Sequence, residues 1–528
     1  MSLRHRINRT ASILVAISLC LSFSISAGSI SADSISAEVP QDSPAKAANK
    51  QDPLARAHAQ FARGELKEAE ASLWTLLASN PDREQALTLL GQIRGRQQRY
   101  AEAEALFRRA LQIDPNSASA HRGLGSALVA ENQPEKAVEQ FKAALDLAPA
   151  DVALKVELAR LYGSGGQFDQ ALAMLQSIPK DRLPVEAIPV KAASLLALDR
   201  DADLAGISEQ ARGSSSAELE LADVYLNAKR PDQALKCLDF AAADSKRQPA
   251  QFYYLRGRAF QLKSQPEPAL SAFKQALTAD PKSTDTLVAI AELHAAQNQH
   301  ADAVIALQKA LALNPDSVFV LRHLVVEATK AGKGQVALDA ASELAAKSPD
   351  NPDDLYLAGA AMLQQNTAGA STVLEKYVAL RNDNAKAWLG LGIAYVQQKR
   401  YEDARQPLER SVQLDPNIAE AEYQLGVVAK NDGRSAEAIQ HFQRAVKLQP
   451  QHAKALWSLG NLYLQSGDLQ NAQETLQAAE AIDPNNVETE YDLGLVLTKL
   501  GKPELAKAHF EKFQKLKGEQ PPAPRDAR

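Results

Sequence analysis

Cysteine is nearly missing from this chain: there are two in 528 residues. Cys20 lies in an N-terminal apolar stretch and Cys237 has no partner in the rest of the sequence, so a disulfide framework and a zinc ribbon are both excluded. Aromatic residues are scarce too, at 5% against 45% hydrophobic residues overall. Much of the apolar share is alanine and leucine, the best intrinsic helix formers. An excess of either charge is lacking as well, since 59 Lys and Arg stand against 64 Asp and Glu, a net charge of −5. A nucleic-acid surface needs clustered Lys and Arg, which this mild and mixed balance does not supply.

Catalytic and metal-binding patterns are also wanting. Past the N-terminus the histidines are His58, His121, His294, His300, His323, His441, His452 and His509. No two sit at i, i+4, so they are expected to be isolated surface or groove residues. Gly123-Leu124-Gly125 and Gly390-Leu391-Gly392 begin like dinucleotide loops but lack the third glycine and a preceding strand. Gly332-Lys333-Gly334 is too short for a phosphate loop and reads as a turn between helices. Cys237 reads as a small buried hydrophobe. These absences predict a protein that is not an enzyme and holds no cofactor and no metal.

What is present is a period. A single core stops growing well before this chain length, and a repeat array is the natural alternative. Pro81, Pro115 and Pro149 are 34 residues apart, as are Pro281, Pro315 and Pro349, and later Pro416, Pro450 and Pro484. Alanine marks a second register at Ala69, Ala103, Ala137 and Ala171, at Ala269, Ala303 and Ala337, and at Ala404, Ala438, Ala472 and Ala506. Glycine marks a third at Gly91 and Gly125, then Gly392, Gly426, Gly460 and Gly494.

Residues 385–418 show the physics of one unit. Trp388, Leu391, Gly392 and Tyr395 share one face of a first helix. Tyr401, Ala404, Leu408 and Ser411 form the inner face of a second, with Gly392 and Ala404 small enough for close helix approach. Pro416 cannot continue a helix and closes the unit. In other units Gly166, Gly332, Gly433, Gly467 and Gly501 occupy the turn between helices, where a left-handed backbone is easiest for glycine.

The pattern Trp388-x2-Leu391-Gly392-x2-Tyr395, followed by Ala404 and Pro416, resembles the tetratricopeptide repeat. The likeness covers about residues 50–517. It implies an all-α, right-handed superhelical solenoid of about fourteen helix-turn-helix repeats. The expected organisation is a repeat block over 51–184, a degenerate repeat or bend over 185–216, a central block over 217–384 and a C-terminal block over 385–517. Pro184 and Pro189 disturb the entry to the weak unit, and Gly213-Ser214-Ser215-Ser216 reads as a loop closing it.

The ends carry expectations of their own. Arg4, Arg6 and Arg9 precede an apolar stretch from Ala11 to Ile25, and Ile25-Ser26-Ala27 fits a signal-peptidase site. Residues 1–27 therefore read as a secretory signal, which predicts a periplasmic or extracellular protein. An uncleaved anchor and lipidation at Cys20 are the competing readings. Residues 28–50 read as a flexible linker and 518–528, with Pro521, Pro522 and Pro524, as a disordered tail.

The resemblance also places a binding surface. In this family positions 2, 5, 9 and 12 of the first helix face a concave groove. In the last four units position 5 holds Leu389, Tyr423, Trp457 and Tyr491, position 9 holds Ile393, Val427, Asn461 and Leu495, and position 2 holds Lys386, Glu420, Lys454 and Glu488. This is an aromatic and aliphatic stripe beside charges, suited to a peptide or helix of a partner protein. Some members clamp a C-terminal carboxylate with a lysine at position 5, but Tyr423 and Trp457 stand there, and Arg122 and Arg322 lack the accompanying asparagines. The last helix carries Leu505, Phe510, Phe513 and Leu516 among Lys507, Lys512, Lys515 and Lys517, which raises self-association as an expectation. The implied role is a non-enzymatic scaffold with protein partners, in an envelope assembly such as polysaccharide export or secretion. The competing reading is a helper that binds glycan or cell-wall material directly, with Trp457 beside Asn461 as its platform.

Overall fold

A computed structural model describes residues 52–244 and 248–519. The expected signal and linker and residues 520–528 of the expected tail lie outside them. Every regular element among the described residues is helical, and the helices alternate with short turns in repeated pairs. The chain divides into two compact units at Pro281/Lys282, a boundary inside the stretch that the sequence groups as one central block.

Among its described residues the first unit holds six regular pairs and one reduced repeat. Ile188–Ala197 forms the first helix of that repeat, but a 3-10 turn over Asp201–Leu204 and a single helical turn over Ile207–Gln210 stand where a second helix would be. Pro184 explains the late start, since the residue before it, Leu183, is extended at φ −69, ψ 114, whereas Pro189 sits in the first turn of the helix, where proline is tolerated. Packing nevertheless continues through the gap, with one buried cluster running from Leu172 to Ala259. The expected loop over 213–216 is corrected: Ser215 opens the next helix, Ser215–Asn227, and the Ser214 hydroxyl caps it by accepting from the Ala217 N–H. A serine run is polar like a loop, but a serine just before an apolar helix also satisfies an otherwise unpaired helix-end donor.

Among its described residues the second unit holds seven regular pairs. Their first helices are Thr284–Ala296, Val318–Lys330, Pro352–Gln364, Ala385–Gln397, Ala419–Asn431, Ala453–Ser466 and Val487–Lys499. The last second helix runs Pro503–Glu519, so Gly518 and Glu519 extend it rather than beginning a tail.

A recurring set of contacts builds most of the regular pairs. Ala404 and Ala438 are completely buried where the two helices cross. A Cβ on Gly426 would lie 2.5 Å from the Phe442 ring of the paired helix, and one on Gly257 in the first unit 2.4 Å from Phe273. The turn requires a left-handed residue, supplied by Gly433 at φ 77 and equally by Lys399 at φ 60. The residue ahead of a closing proline is extended, as sterics demand: Asp114 has φ −130, ψ 96 and Asp415 has φ −143, ψ 99.

Candidate functional site

Within the second unit the successive first helices touch one another from Val318–Lys330 through Ala419–Asn431, and again between Ala453–Ser466 and Val487–Lys499, whereas consecutive second helices make no contact of that extent. The first helices therefore line the inner side of the unit. On them, Leu389, Ile393, Val427, Trp457, Asn461 and Leu495 are half-buried, while Lys386, Lys454 and Glu488 are exposed. The twelve expected residues thus fall on the partly open face of four neighbouring helices, and the structure ties several of them into two polar clusters.

The first cluster centres on Tyr423. Its ring packs on Phe442 at 5.8 Å and on His452 at 4.9 Å between centroids. His452 caps the helix Ala453–Ser466, its Nδ1 accepting from the Ala455 N–H. That fixes the tautomer, so Nε2 donates to Glu420 Oε2 at 3.2 Å. Gln424 donates to the same carboxylate at 2.7 Å. Burial works to raise the Glu420 carboxyl, but the hydrogen bonds from His452 and Gln424 outweigh it and hold the group below its ordinary range. Glu420, expected as a free groove charge, is therefore already committed.

The second cluster surrounds Trp457. The indole N–H and the Asn461 amide both donate to Asp492 Oδ2, each at 3.0 Å. Burial pushes the Asp492 carboxyl upward, against the pull of those two donors. Lys430 Nζ donates to Asn461 Oδ1 at 3.2 Å and lies 5.5 Å from the Trp457 ring centroid. Burial holds the Lys430 ammonium below its usual pKa. Sequence reasoning missed His452, Asp492 and Lys430. A signal existed for Lys430, because position 12 is a groove position and in the last four units holds Val396, Lys430, Leu464 and Thr498.

At the end of the stripe Tyr491 is 43% exposed. It packs on Phe510 and Phe513 of the last helix, at 6.0 and 5.2 Å between centroids. Leu505 stays 57% exposed, while Lys517 lies over the Phe513 ring at 5.6 Å. The position-5 arginines are not open groove charges. Arg122 pairs with Glu157 at 2.8 Å and Asp151 at 3.4 Å, and Arg322 pairs with the buried Asp354.

The histidines expected to be isolated are largely paired, which corrects the sequence reading. His300 meets Glu327 at 2.6 Å, His441 meets Glu422 at 2.6 Å and His509 meets Glu490 at 2.8 Å. These pairs join different helices, so no local spacing could reveal them. Glu480, Glu490 and His509 bring candidate metal-ligand atoms within 4.8 Å of one another. Lys512 Nζ already sits there, 2.8 Å from Glu480 Oε1 and 2.5 Å from Glu490 Oε1. Two repeats earlier Glu422, His441 and Arg444 repeat the arrangement, with Arg444 at 3.4 Å. The recurrence marks a buried carboxylate held by two basic side chains, a packing device between helices. Cys237 is buried, and burial pushes its thiol up to about 11, which disfavours the reactive thiolate at neutral pH.

Models of the tetratricopeptide repeat match residues 82–150, 128–184 and 219–283. Tetratricopeptide repeats are thus detected over residues 82–184 and 219–283. A model described as the C-terminal domain of cilia and flagella-associated protein 70 matches residues 284–526. No curated protein matches the chain. Among solved structures, the APC/C hetero-tetramer Cut9-Hcn1 is 15% identical with a TM-score of 0.39, over 88% of this chain and 93% of that one. YrrB, a TPR protein with an unusual peptide-binding site, is 20% identical with a TM-score of 0.32, over 35% of this chain and 96% of that one. MamA from Desulfovibrio magneticus RS-1 is 22% identical with a TM-score of 0.30, over 32% and 96%. Among the described residues no helix is long and apolar enough to cross a membrane.

Proposed function

We propose that this tetratricopeptide-repeat chain is a non-catalytic scaffold that holds a peptide or helix of a partner protein along the first helices of its second unit. The observation that carries the reading is the half-open apolar face from Leu389 to Leu495, whose tryptophan is locked in place by Asp492. Fixed aromatic side chains in a partly desolvated groove give contact area at little entropic cost. The basic start and apolar stretch of residues 4–25 add the proposal that the chain is exported and serves an envelope assembly such as polysaccharide export or secretion.

Affinity capture from an envelope extract tests this, with residues 28–528 as bait beside a Tyr423→Ala, Trp457→Ala, Tyr491→Ala triple variant. Retention of one protein by the first and its loss from the second supports the reading. Equal retention by both places the site elsewhere on the chain. The competing glycan reading rests on Trp457 beside Asn461. It draws less support, because the polar edge of the indole is already engaged by Asp492. Polysaccharide binding that disappears with Trp457→Ala would restore it.

A further inference from the structure

The inner face of the second unit is mostly apolar at positions 5, 9 and 12, and in its last four repeats Lys430 is the one charged residue at those positions and Asn461 the one amide. Elsewhere in the unit position 12 holds residues such as Val396 and Leu464, and position 9 holds residues such as Ile393 and Leu495. The two outliers sit on neighbouring first helices and are hydrogen-bonded to each other at 3.2 Å.

The bonding around Lys430 is incomplete in a specific way. An ammonium carries three donors. One reaches Asn461 Oδ1, an acceptor already shared with Gln465 at 2.8 Å. Asp492 attracts the ammonium at longer range, but its Oδ2 is turned to Trp457 and Asn461. Among the described residues no carboxylate forms an ion pair with Lys430, although it is half-buried. Taking a charge out of water without pairing it is unfavourable, and a matching anion relieves that. The surroundings are fixed in advance, since Asp492, 6% exposed, holds both Trp457 and Asn461.

The groove charges left uncommitted are positive at two places and negative at one. Glu420 is consumed by His452 and Gln424. Lys386 and Lys454 are exposed and make no side-chain hydrogen bond or ion pair among the described residues, and Glu488 is the one exposed carboxylate of the stripe left beside them. The apolar face also continues on both sides of Lys430, toward Leu389 and Ile393 and toward Tyr491 and Leu495. A bound segment therefore runs past Lys430 instead of ending there.

Building on the scaffold reading above, we propose that Lys430, seated between Trp457 and Asn461, recognises the side-chain carboxylate of an internal Asp or Glu within an otherwise apolar segment of a partner protein. A charge-assisted hydrogen bond in a partly desolvated groove is then the specificity element, and the surrounding aromatic face supplies the contact area.

The test selects short random displayed peptides on the full chain and measures their affinity for the wild type, Trp457→Ala and Lys430→Gln. The expected result is that peptides dependent on Trp457 carry an acidic residue among apolar ones. Their affinity falls about tenfold or more with Lys430→Gln. Changing that acid to its amide weakens wild-type binding as much and weakens Lys430→Gln no further, while amidating the peptide C-terminus changes nothing. Lys430→Gln should also leave the melting temperature unchanged or higher, which separates lost recognition from lost folding. Trp457-dependent peptides that are indifferent to Lys430→Gln, or that depend on a free C-terminus, overturn this proposal and leave the groove reading standing. Failure to select any Trp457-dependent peptide overturns both.

Discussion

The two units solve one folding problem in the same way and use their inner faces differently. In the second unit position 5 includes Tyr356, Leu389, Tyr423, Trp457 and Tyr491, all at least partly open. In the first unit that position includes the buried Val156 and Leu219 and the partly open Arg122 and Tyr254, and the partly open position 9 goes to charges, Arg160, Asp223 and Arg258. Those charges are tied within their own unit: Arg122 binds Glu157, and Arg160 donates to the Glu186 carbonyl at 2.6 Å and faces Glu220 at 3.7 Å. Close-approach glycines and left-handed turn residues recur in both. Positions that fold the repeat and positions that meet a ligand are thus separable, and a shared repeat signature does not imply a shared binding surface.

The largest effect should come from disturbing what the units have in common. Gly257→Ala and Gly426→Ala each drive a methyl against a buried phenylalanine ring of the paired helix. Overpacking of that kind costs about 3 kcal/mol. Hydrogen exchange should show each variant opening its own unit at similar cost, and only Gly426→Ala should weaken binding of a groove peptide. A peptide lost equally with Gly257→Ala would break the division of labour between the units.

How much of this was legible in the sequence follows the same division. The period, the helix pairs and the closing prolines could be read because each has a strict local requirement, such as the bare backbone at Gly426 or the forced extension before Pro416. The turn was only half-legible: glycine marks it at Gly433, but Lys399 takes the same left-handed conformation unannounced. The stripe itself came from a family pattern applied position by position. Its polar connections did not, because Asp492 lies 35 residues from Trp457. Such contacts exist only once neighbouring repeats stack.

The next effect belongs to the first unit. Arg94, whose side chain is 7% exposed, pairs with Glu70 at 2.7 Å. Its hydrogen bond is the main reason that the Glu70 carboxyl drops to about 2. A depressed carboxylate pKa stabilises the fold above the unfolded value of about 4.5, and that stability disappears as pH falls toward 2. The contribution is about 2 kcal/mol once partial exposure is allowed for. Glu70→Gln should therefore destabilise the first repeats at neutral pH and flatten their stability between pH 5 and 2, as measured by hydrogen exchange or denaturant titration. A wild-type profile as flat as the variant's would mean that the pair contributes nothing.

The smallest effect probes the equivalence of the turns. Gln98 in the first unit and Lys399 in the second both have φ 60. A non-glycine residue pays about 1–2 kcal/mol in that region. Glycine removes the steric penalty but loses about 0.5–1 kcal/mol through the freedom it gains in the unfolded chain. The two terms nearly cancel, so Gln98→Gly and Lys399→Gly should each stabilise by about 0.5 kcal/mol. Denaturant midpoints should move upward by the same small amount for both, with groove-peptide affinity untouched. Lys399 is the sharper test, because its turn joins the helix that carries Leu389 and Ile393 to its partner helix. If relaxing that turn changed affinity while Gln98→Gly did not, the turn would also hold the groove, and folding and binding positions would not be as separate as the comparison of the two units implies.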